Sequence, residues 1–264
     1  MPTTHINGID VYYERDGQGP PLLFINGSGA TLSSSGVMID VFRHRFDVLA
    51  YDQRGLGRTS IPDGPYSMAD YAADAAALAE VVGWDRYSVI GVSFGGMVAQ
   101  ELAVTVPERI HRLALLCTSP GGRDHSSYPL HTLADKSPEE RAALGMWLLD
   151  TRFTNEWLAT HAGDRALAEM IAERTGIEKS AEVARGERLQ LEARGGHDVN
   201  DRLGRITSPT IVGAGRYDGI APLANSQAIV SKIAGAELRV YDGGHIFMIQ
   251  DPTAFPEIIE FLAG

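Results

Sequence analysis

The stretch Gly91-Val92-Ser93-Phe94-Gly95 constrains this chain more than any other. The apolar run Tyr87-Ser88-Val89-Ile90 enters it and reads as a strand, and Gly96-Met97-Val98-Ala99-Gln100-Glu101-Leu102-Ala103 leaves it as a helix. A strand that becomes a helix across one residue needs glycine at 91 and 95, where a side chain would clash in the tight turn. Serine at the apex then projects its hydroxyl from the sheet edge, at a helix N-terminus that favours negative charge. Small residues often share a turn, so the five letters alone say little. Strand, turn and helix in this order read as a nucleophile elbow.

The rest of the chain supplies a sheet for that elbow. Leu22-Leu23-Phe24-Ile25, Phe46 to Ala50, Leu113 to Leu116, Thr210-Ile211-Val212 and Leu238-Arg239-Val240 are apolar runs without alternation. Such strands belong to parallel sheets covered on both faces. Asn7-Gly8, followed by Ile9-Asp10-Val11-Tyr12-Tyr13, reads as a hairpin at the sheet edge. Helical stretches fall between the strands. Ser67 caps one that runs to Val82, and a last one spans Pro252 to Leu262 with Asp251 as its cap. The expected class is therefore α/β, a doubly wound, mostly parallel sheet. Residues 120–205 break the alternation with little strand and much helix, beginning at Ser137-Pro138. They read as a helical lid, with core segments 1–119 and 206–264 on either side.

Composition narrows the function classes. At 264 residues, 44% hydrophobic and 22% charged, the chain suits one domain with an insertion. A net charge of −11 argues against nucleic acid or an anionic membrane surface as partner. No apolar run is long enough to span a bilayer and no leader-like segment follows Met1, so a cytoplasmic enzyme is expected. The single cysteine, Cys117, excludes an internal disulfide framework and a multi-cysteine zinc site. No metal motif is present and no cofactor is implied; a small-molecule substrate is the expected partner, with homo-oligomerisation left open.

Serine is a weak nucleophile at neutral pH and needs a base, a group to orient that base, and donors for the oxyanion. His245, in Tyr241-Asp242-Gly243-Gly244-His245, follows the last strand on a glycine-rich loop and is the candidate base. Asp218, after the strand Thr210 to Gly213 and before Pro222, is the candidate acid. The chain order Ser93, Asp218, His245 suits a triad on this kind of sheet. A capping role for Asp218 is the plainer alternative.

Together with Leu22 to Gly29, Tyr51-Asp52-Gln53-Arg54-Gly55-Leu56-Gly57 and Gly215 to Pro222, these motifs resemble the α/β-hydrolases over nearly the whole chain. The group most similar in flavour holds small lid-bearing enzymes: 3-oxoadipate enol-lactonases, cofactor-free haloperoxidase-like esterases and meta-cleavage C–C hydrolases. The resemblance implies an oxyanion hole built from the backbone N–H groups of Phe94 and Ser28. Asn26-Gly27 stands where the family has His-Gly. Asp52 and Arg54 match a structural turn of the family, expected to be held as a buried pair. Trp147 and Trp157 are candidates for the substrate pocket, and Arg123 for a substrate carboxylate. Hydrolysis of a small ester or lactone through an acyl-enzyme is the leading expectation; C–C bond hydrolysis and a catalytically quiet receptor remain beside it.

Overall fold

The computed structural model describes residues 2–175 and 179–264. A hairpin of β1 (Thr3–Ile6) and β2 (Ile9–Asp16) turns at Asn7 and Gly8, whose φ values of 48° and 77° are those a two-residue hairpin turn requires. Then follow β3 (Pro21–Ile25), α1 (Leu32–Arg43), β4 (Asp47–Tyr51), α2 (Met68–Val81), β5 (Tyr87–Val92), α3 (Phe94–Thr105) and β6 (Ile110–Leu116). The helical insertion carries α4 (Pro138–Leu149), α5 (Asn155–Thr160), α6 (Ala162–Thr175) and α7 (Ala181–Gly195). Residues 176–178 of it lie outside the described residues. The chain closes with β7 (Thr210–Gly215), α8 (Leu223–Lys232), β8 (Glu237–Tyr241), α9 (Phe247–Gln250) and α10 (Ala254–Ala263).

The eight strands form one sheet in the order β1-β2-β4-β3-β5-β6-β7-β8, antiparallel at the hairpin and parallel from β4 to β8. Successive strand residues feed two separate cores. Leu22, Phe24, Val48, Ala50 and Ile90 pack with Phe42 of α1 and Ile258 of α10. Leu23, Ile25, Leu49 and Val89 pack with Tyr71 of α2 and Val98 of α3. Both faces are covered, which is why these strands are apolar without alternation.

Three elements differ from expectation. β8 is an edge strand: Val240 is 36% exposed, and the ion pair of Arg239 with Glu237 (2.7 Å) sits on it. Charge on an edge discourages pairing with other chains. The last helix begins at Ala254 with Thr253 as cap, because Asp251 Oδ1 accepts from the Thr253 N–H (3.0 Å) and hydroxyl (2.7 Å) and makes a turn first. α1 was not expected, since Leu32-Ser33-Ser34-Ser35-Gly36 has the composition of a loop. Its start is pinned from outside, where buried Asp52 accepts from the Leu32 N–H at 2.7 Å. Asp52 also accepts from the Arg58 N–H (2.9 Å), while Arg54 pairs with Asp74 (2.9 Å). The expected Asp52–Arg54 pair is thus replaced by two separate braces on the same turn.

Among the described residues, no helix is long and apolar enough to cross a membrane.

Candidate active site

Ser93 sits between β5 and α3 with φ 56° and ψ −114°, a strained conformation for a residue with a side chain. The surroundings hold it there. Its N–H donates to the Leu116 carbonyl of β6 (2.8 Å), and its own carbonyl accepts from the Thr118 hydroxyl (2.8 Å). A Cβ at Gly95 would collide with the carbonyls of Ile25 and Asn26, and one at Gly91 with the carbonyl of Gly95. Only glycine lets α3 approach the end of β3 this closely.

His245 is delivered by the loop after β8 and Asp218 by the loop after β7. Gly215 packs so tightly against the carbonyls of Gly243 and Gly244 that a Cβ would not fit, which sets the two loops side by side. His245 Nδ1 is 2.8 Å from Asp218 Oδ2, and Nε2 is 2.8 Å from Ser93 Oγ. The tautomer with its proton on Nδ1 donates to the carboxylate and leaves Nε2 to accept from the serine hydroxyl. The other carboxylate oxygen of Asp218 accepts from the N–H groups of Ile220 and Ala221, each at 2.8 Å. Asp218 therefore both caps its own turn and orients the imidazole. Both side chains are buried.

Facing Ser93 is the loop after β3. A Cβ on Gly27 would stand 3.5 Å from the Ser93 Cβ. The loop is braced from two directions: Gln53 donates to the Asn26 carbonyl (2.9 Å), and Gln190 of α7 accepts from the Gly29 N–H (2.8 Å). Phe94 occupies the first position of α3, where a backbone N–H has no intrahelical acceptor. Ser28 Oγ and Asn26 Nδ2 are buried and have no partner among the described residues.

The insertion grips the same loops. The His245 N–H donates to the Leu149 carbonyl (2.6 Å), the Gly219 N–H to Leu148 (3.1 Å), and the Thr151 N–H to the Tyr217 carbonyl (2.9 Å). Asp150 is fully buried and accepts from Arg152 (2.7 Å) and from Gln250 (2.8 Å), and Gln250 in turn accepts from the Gly244 N–H (2.8 Å). The sequence carries no sign of this grip, because most of these bonds use backbone groups.

The other three expected residues, Arg123, Trp147 and Trp157, lie in the insertion. Arg123 is exposed at the tip of a tight turn. Trp147 is 45% exposed on α4. Trp157 is half-buried inside the insertion, where its Nε1–H donates to Asp164 (2.7 Å) and its ring stacks on His161 at 3.5 Å. Cys117 is buried, and burial followed by the nearby Asp218 pushes its thiol well up, so it stays protonated.

The fold agrees with what the chain is similar to. A poly(3-hydroxyalkanoate) depolymerase of Ectopseudomonas oleovorans is 30% identical over 92% of this chain and 84% of its own. A 3-oxoadipate enol-lactonase of Acinetobacter baylyi is 27% identical over 91% of this chain and 87% of its own. Among solved structures, the enol-lactonase from Burkholderia xenovorans LB400 superposes with a TM-score of 0.82 at 23% identity, each chain covered in full. A family model described as alpha/beta hydrolase fold matches residues 20–252. With the family model spanning residues 20–252 and the relatives matched over nearly the whole length, the chain belongs to the alpha/beta hydrolase fold family.

Proposed function

We propose that the protein is a serine hydrolase that cleaves a small carboxylic ester or lactone through an acyl-enzyme. The observation that carries this reading is the unbroken relay from Ser93 Oγ through His245 to Asp218, with both links at 2.8 Å. His245 Nε2 takes the hydroxyl proton as Ser93 Oγ attacks the carbonyl carbon. The oxyanion that forms is met by the N–H groups of Phe94 and Ser28, which are fixed beforehand and need no reorganisation. His245 then returns the proton to the leaving oxygen, the C–O bond breaks, and the acyl group stays on Ser93. A water that gives its proton to His245 reverses the sequence and frees the acid. Asp218 holds the tautomer and steadies the imidazolium throughout.

Relatives named for an enol-lactone and for a polyester support an ester-type bond. Residues 120–205 act in this reading as a lid whose fixed edge is the segment 148–152. Exclusion of water beneath it strengthens the oxyanion contacts.

Labelling by a fluorophosphonate, together with turnover of p-nitrophenyl acetate, tests the proposal. The wild-type protein should be labelled stoichiometrically and should turn over the ester, and folded Ser93→Ala should do neither. Equal turnover by the two proteins would overturn it.

A further inference from the structure

Arg194 is the least explained charge in the molecule. It lies on α7, one turn after Gln190, which braces the loop facing Ser93. It is 6% exposed. Its Nη1 donates to the Tyr128 carbonyl (2.7 Å), while Nε and Nη2 are sealed from solvent and have no partner among the described residues. No carboxylate among the described residues forms an ion pair with it. By contrast, Arg152 pairs with Asp150 (2.7 Å), Arg188 with Glu192 (2.6 Å) and Arg202 with Glu101 (2.6 Å). Burial draws the Arg194 pKa down to about 10 and the charge of Asp218 acts against that, so the group remains a cation at neutral pH. A sealed guanidinium does not touch a substrate. Its role lies in what it does to its neighbours.

The triad carboxylate presents the complementary problem. The Asp218 side chain has no exposed surface. Its partner His245 is neutral when it accepts the Ser93 proton, so in the resting site Asp218 is an anion beside an uncharged ring. Hydrogen bonds from His245 and from the Ile220 and Ala221 N–H groups, each at 2.8 Å, solvate it. A buried anion without a countercharge remains costly even so. The two ions are joined by three consecutive hydrogen bonds through the backbone. Arg194 donates to the Tyr128 carbonyl (2.7 Å), the Tyr128 N–H donates to the Ile220 carbonyl (2.7 Å), and the Ile220 N–H donates to Asp218 Oδ1 (2.8 Å). Every donor in this chain points from the cation toward the carboxylate, so the bonds polarise one another in the same sense. Asn225 of α8 steadies the middle of the chain by donating to the Ser126 carbonyl (3.3 Å).

We infer that Arg194 is the standing counter-ion of the Asp218 carboxylate and a positioning residue for the turn that carries it. Asp218 and Arg194 balance each other in the resting site. In the tetrahedral intermediate an imidazolium and an oxyanion are added, and these balance as well, so the buried set stays neutral through the cycle. The charge cycle rests on the serine-hydrolase reading; the pairing of the two ions does not.

A double-mutant cycle read by thermal unfolding tests the pairing without any turnover. Arg194→Met should lower Tm by about 5 °C or more in the wild-type background, because it strands a buried carboxylate. In the Asp218→Asn background the same change should leave Tm within about 2 °C of its parent or raise it, because the cation there has no anion to balance. Equal losses in both backgrounds would overturn the counter-ion. If Arg194→Met does not fold in the wild-type background, folding on addition of Asp218→Asn supports the pairing and failure in both backgrounds overturns it. The second arm is turnover of p-nitrophenyl acetate. Arg194→Met should lower kcat about tenfold with KM within about twofold, and Arg194→Lys, which keeps the charge, should recover most of kcat. A folded Arg194→Met protein with wild-type kcat, or a Lys variant as slow as the Met variant, would overturn the positioning role. Coupling in Tm with no ester turnover by the wild-type protein would keep the pairing and overturn the hydrolase reading. Turnover without coupling would do the reverse.

Discussion

Ser93 and Arg194 are held by different means. Ser93 is fixed by backbone: a positive φ, glycines packed against carbonyls, and hydrogen bonds from neighbouring strands. Arg194 is fixed by side-chain burial on a helix and by one bond to the Tyr128 carbonyl. The sheet edge thus encodes reaction geometry in positions where few residues are tolerated. The insertion encodes contacts in side chains that can change while the helix stays. Geometry and charge balance are therefore expected to respond separately to mutation, with the segment 148–152 as the place where the two regions meet.

Ser93→Ala should give the largest effect that can break this division, a fall in ester turnover on the order of 10⁶ with Tm nearly unchanged, since the side chain packs against little. Stopped turnover with a large loss of stability would mean that the serine is also structural. Asp150→Asn comes next. It removes the charge paired with Arg152 at a fully buried carboxylate, whose bonds reach Gln250 and through it the Gly244 N–H. A loss of about 1–3 kcal/mol in stability is expected, together with a tenfold or larger fall in kcat, because the loop carrying His245 loosens. An unchanged kcat in a destabilised protein would show that the grip of the insertion is not used in catalysis.

The third effect is on stability against pH. Burial, partly offset by Glu101 and Asp198, lowers the His197 pKa from 6.5 to about 4. Between these values the unfolded chain binds a proton that the folded chain does not, so stability rises with pH. The contribution is whole above about pH 6.5 and is lost progressively toward pH 4, at most about 3 kcal/mol. His197→Gln should flatten the fall in Tm between pH 7 and 4. Parallel curves for the two proteins would contradict this account.

The smallest effect is expected from the tryptophans. Trp157→Ala should lower Tm by a few degrees, at about 2–4 °C per kcal/mol, and leave acyl-chain preference alone, because its indole is committed to Asp164 and His161. A shift in preference for long over short acyl esters would return Trp157 to the pocket and sharpen the border between stability and selectivity within the insertion.

The same division explains what could be read from the sequence. The elbow, the two loops after β7 and β8 and the covered strands were legible, because a backbone under steric constraint leaves glycines at fixed offsets. The order Ser93, Asp218, His245 was legible for the same reason. Arg194 was not. In Glu187-Arg188-Leu189-Gln190-Leu191-Glu192-Ala193-Arg194 nothing separates Arg188, exposed and paired with Glu192, from Arg194, which is buried and has no direct carboxylate partner among the described residues. Which arginine turns inward depends on how α7 meets the loops of Gly29 and Gly55 and the segment of Tyr128, and that is a tertiary fact. Arg123 drew attention by its place after β6, but a tight turn with Gly121 and Gly122 at positive φ carries it outward. The start of α1 was hidden because its anchor, Asp52, lies twenty residues away.

The hydrogen bonds that Leu148 and Leu149 accept from, and Thr151 donates to, the loops of Asp218 and His245 also limit how such an enzyme can be re-engineered. The insertion looks like a cassette to be exchanged among relatives at its two junctions with the sheet. A graft made there would carry away the carbonyls that the His245 and Gly219 N–H groups need. Chimeras should instead keep residues 148–152 with the recipient and exchange the helices on either side of them.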